Sequence, residues 1–377
     1  MSSAQIEVQL IACVVAVACA LPGVFLVLRR VALLSDAISH AILFGIVIAF
    51  FVVQDLASPF LVIAATATGV LTVFLVELLN RTRLVKEDAS IGLVFPVLFS
   101  IGVILISRYA GNIHLDTDAV LLGEIAFAPF NRFEIGGADL GPKALWLMGG
   151  ILIINLAVII VFFKELKLVS FDAALASALG ISPTLISYVL MTQVSITAVG
   201  AFDAIGSILV VALMIAPPAT AYLLTDNLQR MILYSALIGI AAALSGYWIA
   251  HGLDVSIAGS MATMCGVLFG LAFVLVPERG LLAQAMRRRR QKREFTTMML
   301  LIHLYTHEDL PEAVSECRID HLTEHLSWPA HTAEKVVEEA VESKFAARDN
   351  GLLLLTDRGR EVAREAIVNW TPSTQAV

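Results

Sequence analysis

Charge is scarce in this chain: Asp, Glu, Lys and Arg make up 15% of its 377 residues, while 58% are hydrophobic. A soluble domain carries roughly 25% charged residues, so most of this chain is excluded from that class. Cysteine is scarce too. Of the four, Cys13, Cys19 and Cys265 lie in apolar runs and Cys317 stands apart, with no metal-ligand spacing among them. They read as small packing residues rather than disulfides or ligands. No Gly-x-x-x-x-Gly-Lys followed by Ser or Thr occurs, so the chain has no P-loop with which to bind and hydrolyse a nucleoside triphosphate. No His-Glu-x-x-His occurs either, which removes the zinc set an intramembrane metalloprotease of that type needs. Nor does a basic stretch precede the first apolar run, as it would in a removable signal peptide.

What is present is segregated. Apolar runs of about 20 residues, enough to cross a hydrocarbon core, recur at approximately Ile6–Leu28, Ala32–Val53, Pro59–Leu79, Ala89–Ser107, Leu145–Phe163, Thr184–Ala201, Ile205–Leu224, Met231–Ala250 and Ser256–Val276. The stretch Thr184–Leu224 carries Gly200, Gly206, Pro217 and Pro218, so a broken helix and eight to ten spans are expected. Basic residues mark cytoplasmic ends. Arg29–Arg30, Arg81/Arg83/Lys86, Lys164/Lys167, Arg230 and the run from Arg287 to Arg293 fall on one side of the alternation. That places the N-terminus outside, the C-terminal part in the cytoplasm, and Arg108–Lys143 outside.

An ionisable residue inside a span is a functional-site hypothesis by default. The second run holds Ser35-Asp36-Ala37-Ile38-Ser39-His40. Asp36 and His40 are four apart and so share a helix face. Counted from Arg30 at about 1.5 Å per residue, they lie roughly 9 and 15 Å into the core. A carboxylate beside an imidazole suits a divalent transition ion, although two ligands are too few; a partner chain presenting the same helix would supply four. The plainer reading makes Ser35 or Asp36 a helix cap and His40 a satisfied interior histidine.

The flanking sequence favours the first reading. Gly23–Arg30 followed by Ala32–Ala41 resembles the signature of the membrane permeases of bacterial ABC importers for manganese, zinc and iron, the partners of cluster A-I metal-binding proteins. Lys86–Gly92 is similar to that family's cytoplasmic loop. Phe171-Asp172 with Ala176 and Ala178-Leu179-Gly180 is similar to its ATPase-contacting segment, and Gly206–Leu213 with Ala216–Ala221 to its late-span signature. Phe44 departs from the pattern, where a smaller residue or proline is expected. The resemblance covers about residues 6–282.

It implies an all-α polytopic permease that pairs with a second permease chain, identical or paralogous. Separate ATPase subunits would supply the ATP hydrolysis, and an extracytoplasmic metal-binding protein would deliver the ion. Nothing is bound permanently: manganese, zinc or iron is cargo, held transiently by Asp36 and His40. The ATPase-docking segment falls at Ser170–Ile181, carried by Asp172, Leu175, Leu179 and Gly180, with Ser170 expected as the helix cap. A proton-coupled secondary carrier is the rival. Outside, His114, Asp116, Asp118, Glu124, Glu134 and Asp139 read as an acidic vestibule or simply as a solvated loop. His251 and Asp254 form a second small outer pair, and Asp203 stands at the helix break.

Three segments follow by composition: a transmembrane domain at 1–282, a basic membrane-edge linker at 283–293 facing anionic lipid, and a small α+β cytoplasmic domain at 294–377. In the last, Asp349-Asn350-Gly351 signals a hairpin between Pro329–Lys344 and a final helix to about Trp370. This order resembles the winged-helix domain of diphtheria-toxin-repressor-type regulators. Residues 294–377 hold 7 Lys/Arg and 15 Asp/Glu, a net of −8, the wrong sign for a surface that neutralises phosphates. No nucleic-acid partner is expected. The pairs His303/His307 and His321/His325, with His331, suggest a metal sensor; exposed surface histidines are the plainer reading.

Overall fold

The computed structural model describes residues 2–54, 58–109, 125–135, 138–311, 313–326, 328–349 and 351–370. The chain divides into two compact units, Met1–Val276 and Pro277–Val377.

The first unit is a helical bundle. Its long helices are α1 (Ser3–Leu28), α2 (Leu33–Val53), α3 (Pro59–Arg81), α4 (Glu87–Tyr109) and α5 (Lys143–Val161). Two short helices, α6 (Phe163–Phe171) and α7 (Ala173–Ala178), lead to α8 (Pro183–Leu224), α9 (Leu228–Leu253) and α10 (Ile257–Leu275). Nine stretches among the described residues are long and apolar enough to cross a membrane, because α8 counts twice, as Pro183–Phe202 and Ala204–Leu224. Just inside the second of these stretches, Gly206 breaks the helix with a φ of 74° and a ψ of 165°. A side chain at that φ would be strained, which is why glycine occupies the break. Pro217 and Pro218 are accommodated within the helix.

Central α1 is packed by α5, α8 and α9; α2 packs on α3, α4 and α8. Several hydroxyls inside the bundle are satisfied locally. Ser39, Thr72, Ser195, Thr197 and Ser235 each donate to a carbonyl one turn back, as lipid-buried polar groups require. The bundle is not purely helical. A short hairpin, β1 (Arg132–Ile135) paired antiparallel with β2 (Ala138–Pro142), precedes α5. Its sequence signal is the Gly136-Gly137 pair between short alternating segments.

The second unit begins at Pro277, and the basic run is no separate linker. It lies within α11 (Leu281–His307), whose far end contributes Leu300, Leu301 and Leu304 to the unit's core. Short helices α12 (Ala313–Glu316) and α13 (Ile319–His325) follow, then α14 (Ala330–Glu342), the antiparallel hairpin β3 (Ala346–Asp349) with β4 (Leu352–Leu355), and α15 (Asp357–Trp370). Gly351, at φ 83°, serves the hairpin turn. Thr356 Oγ1 accepts from the Gly359 N–H at 3.1 Å and starts α15.

Candidate functional site

Helix α2 begins without a side-chain cap at Ala32. Ser35 Oγ donates back to the Ala32 carbonyl at 2.8 Å and Ser39 Oγ to the Ser35 carbonyl at 2.8 Å. Neither serine caps the helix, and Asp36 is free of that duty as well. Its carboxylate turns to the next turn instead, with Oδ1 3.4 Å from His40 Nε2. The His40 ring lies 5.9 Å from the Phe95 ring and 6.1 Å, edge-on, from Phe99, both on α4. The two side chains remain 43% (Asp36) and 30% (His40) exposed, so the pair opens on the surface of this chain. Among the described residues no group of three or more His, Cys, Asp or Glu side chains converges. The pair therefore offers two donors with an open side. The chain turns at Arg30 (φ 61°) and the helix starts only at Leu33, which puts Asp36 about 4.5 Å and His40 about 10.5 Å along the helix.

The other predicted acids behave differently. Asp139 pairs with Arg132, which also contacts Glu7 at 3.1 Å. The Gly141 N–H and the Arg132 guanidinium hold the Asp139 carboxyl below its usual range. His251 stacks on Tyr247, centroids 6.2 Å apart, beside Trp248. With Asp254 it lines a cavity of about 350 Å³. His114, Asp116, Asp118 and Glu124 lie outside the described residues, as do the side chains of Glu134 and Asp203.

The segment predicted to dock the ATPase is a capped helical turn. Asp172, not Ser170, is the N-cap of α7: Asp172 Oδ1 accepts from the Leu175 N–H at 2.9 Å, while Ser170 lies within α6. The Schellman closure at its far end has Gly180 N–H donating to the Ser177 carbonyl and Ile181 N–H to Ala176. It requires the left-handed φ of 82° that Gly180 supplies. Ala176 is buried, whereas Leu175 (47%) and Leu179 (64%) point outward. Two apolar knobs on a rigid turn form a surface that another protein can grip. Ser182 then caps α8 directly, accepting from Leu185 N–H.

Two polar ties carry little sequence signal. Asn155 on α5 is fully buried and donates to the Ala18 carbonyl and to Thr197 Oγ1, both at 2.9 Å. Near the start of α8, Arg29 donates to Ser187 Oγ. A lone Asn within Leu145–Phe163 was the only hint of the first. The second joins residues 158 apart, which no local pattern shows.

In the second unit, His303 Nε2 contacts the Glu316 carbonyl at 3.1 Å, and His307 Nδ1 contacts the His303 carbonyl at 2.8 Å. His321 pairs with the Glu316 carboxylate at 3.0 Å. These histidines are engaged in the unit's own packing. His331 is exposed, and the His325 side chain lies outside the described residues.

The model of the ABC 3 transport family matches residues 2–276. A zinc transport system membrane protein, TroD, of Treponema pallidum (strain Nichols) is 50% identical over 358 residues, 95% of this chain and 97% of the relative. A manganese transport system membrane protein, MntD, of Bacillus subtilis (strain 168) is 49% identical over 280 residues, 74% of this chain and 95% of the relative. The first match therefore runs into the second unit. Among solved structures, PsaBC from Streptococcus pneumoniae in complex with Fab superposes with a TM-score of 0.62 at 28% identity, covering 74% of this chain and 94% of that one.

Proposed function

The chain belongs to the ABC 3 transport family, and on that premise we propose that it is the permease subunit of an ATP-driven importer of divalent transition-metal ions, manganese or zinc. The observation that carries this reading is the Asp36–His40 pair, placed on one face of a membrane span and open on one side. An ion entering a low-dielectric span must have its lost water replaced. A carboxylate supplies charge and an imidazole supplies a nitrogen donor, a mixture that suits these metals. A second permease chain presenting the same helix completes a set of two carboxylates and two imidazoles across the interface. The set is assembled and dispersed as the chains move, so the ion is held without being trapped. The names of the relatives support zinc and manganese; iron(II), accepted by the same donors, is a competitor to be tested.

Energy comes from partner ATPase subunits, since this sequence has no P-loop. Their docking site is the turn Asp172–Gly180, with Leu175 and Leu179 as its knobs. An extracytoplasmic metal-binding protein delivers the ion to the opposite face. The bundle resides in the bacterial plasma membrane, with the basic span ends and the second unit in the cytoplasm. The helices, hairpin and last helix of that unit follow the order of a winged-helix domain. Its net negative charge makes it a protein-contact module rather than a DNA reader.

Uptake by reconstituted vesicles tests the reading. Uptake of manganese or zinc that requires both ATP and the ATPase subunit supports it. Uptake that follows a proton gradient and ignores ATP makes the chain a secondary carrier and overturns it.

A further inference from the structure

Within the second unit, α11, the end of α14, Phe345 just before β3 and α15 line an open cavity of about 640 Å³, bordered by Met286, Arg289, Arg290, Arg293 and Ser343 among others. Its size is that of a small-molecule site, about 300–1,000 Å³. Its chemistry is mixed. Met298, Leu301, Phe345 and Val362 form an apolar wall, and three guanidinium groups stand on one side. Two are already engaged: Arg290 pairs with Glu294 at 2.7 Å and Arg293 with Glu339 at 3.0 Å. Arg289 pairs with no described carboxylate. Three arginines against two glutamates leave one positive charge at the rim of this apolar surface.

The residues are ordered along α11. Leu282, Met286, Arg289, Arg293, Thr297 and Leu301 recur at helical spacing and share one face. That face passes from apolar through cationic to the apolar core. Leu281, Leu282 and Met286 are about half exposed or more. Apolar side chains beside a polybasic run on one helix are the pattern of an element that meets a lipid surface. Arg289 follows Leu275, the end of the last span, by 14 residues.

We propose that this cavity is a binding site for one anionic phospholipid, its phosphodiester against Arg289 and its hydrocarbon against Met286, Met298 and Phe345. The net single charge matches a phosphodiester monoanion. The flexible methionines suit a chain of variable shape. The site senses the charge of the surrounding membrane through the second unit, and rests only on the chain being embedded in a bilayer, not on which ion it carries.

The test is native mass spectrometry of the full chain, delipidated in detergent and titrated with phosphatidylglycerol or phosphatidylcholine of the same acyl chains. Oleate and inorganic phosphate serve as source controls. The expected result is a saturable phosphatidylglycerol site, weaker for phosphatidylcholine. Arg289→Ala should weaken it about fivefold, the equivalent of one membrane-facing cation. Ser343→Trp, which fills the cavity and leaves the charge unchanged, should abolish it. Thr297→Trp repeats the filling from the opposite wall, with melting of each variant as the folding control. Arg289→Glu, on an exposed helix face, gives a result even if both tryptophan variants unfold. Binding lost on arginine substitution but kept in both folded tryptophan variants would mean surface attraction only and would overturn the proposal. Oleate or phosphate binding as tightly would equally overturn it.

Discussion

Gly69 of α3 meets Ser195 of α8 so closely that a Cβ at position 69 would stand 2.4 Å from the Ser195 hydroxyl oxygen, and 3.1 Å from Cγ2 of Ile38. Ile38 lies between Asp36 and His40 in sequence, and α8 starts at its Ser182 cap, just after the closure of α7 at Gly180. Helix α8 therefore adjoins both the proposed metal pair and the proposed docking turn. Gly69→Val is expected to force α3 off α8 and α2 at about 1–3 kcal/mol, the usual overpacking cost. Lower melting in detergent together with impaired uptake is the expected pair of results; normal values for both would show that the contact yields freely.

Asp36→Asn and His40→Ala should each abolish metal uptake while membrane insertion and ATPase copurification stay normal. Each removes a ligand, and both side chains are too exposed to hold the bundle together. Near-normal transport by both variants would remove the pair from the ion path.

Charge introduced at the two knobs, Leu175→Glu with Leu179→Glu, should reduce ATPase copurification or uncouple hydrolysis from uptake. The helix itself should survive, because its cap and closure lie at Asp172 and Gly180. Asp172→Ala removes the cap at a cost of about 1 kcal/mol and should loosen coupling without dissociating the complex. If the double glutamate variant assembles and transports normally, Lys86–Ile91 becomes the next segment to test.

Deleting Pro277–Val377 should leave a bundle that inserts and transports with altered regulation, since all nine described spans lie before that point. A cut at Glu294 is the worse choice, because it divides α11 and leaves its basic half without a core. Gel-shift titration with the second unit intact should show no DNA affinity at physiological salt. Tight, salt-sensitive binding would reverse the reading of its surface charge.

Cys317 gives a readout of the second unit's fold. It is 3% exposed, and burial, with Glu308 and Glu316 nearby, pushes its thiol up from the usual range. Fewer thiolates at neutral pH mean slow alkylation. Protection in the native protein and fast labelling after denaturation are expected; equal rates would mean a loose unit.

The sequence by itself determined the spans, a broken helix somewhere within Thr184–Leu224 and the helix face that Asp36 and His40 share. These rest on local physics: apolar length against bilayer thickness, the conformational freedom of glycine, and the four-residue recurrence of a helix face. The hairpin of the second unit was legible for the same reason, through Asp349-Asn350-Gly351. Local signals misled where two short-range options compete. Ser170 and Asp172 both can cap a helix, and only the chain's path between α6 and α7 chose Asp172. The start of α2 at Leu33 was likewise set by a turn at Arg30 that apolar composition does not register. What the tertiary structure alone decided is who meets whom across long separations: Gly69 with Ser195, Asn155 with the Ala18 carbonyl, Arg29 with Ser187, and the arginines of α11 with the cavity beside β3. Such contacts depend on how helices pack in three dimensions, and packing is a property of whole surfaces that no window along the chain contains.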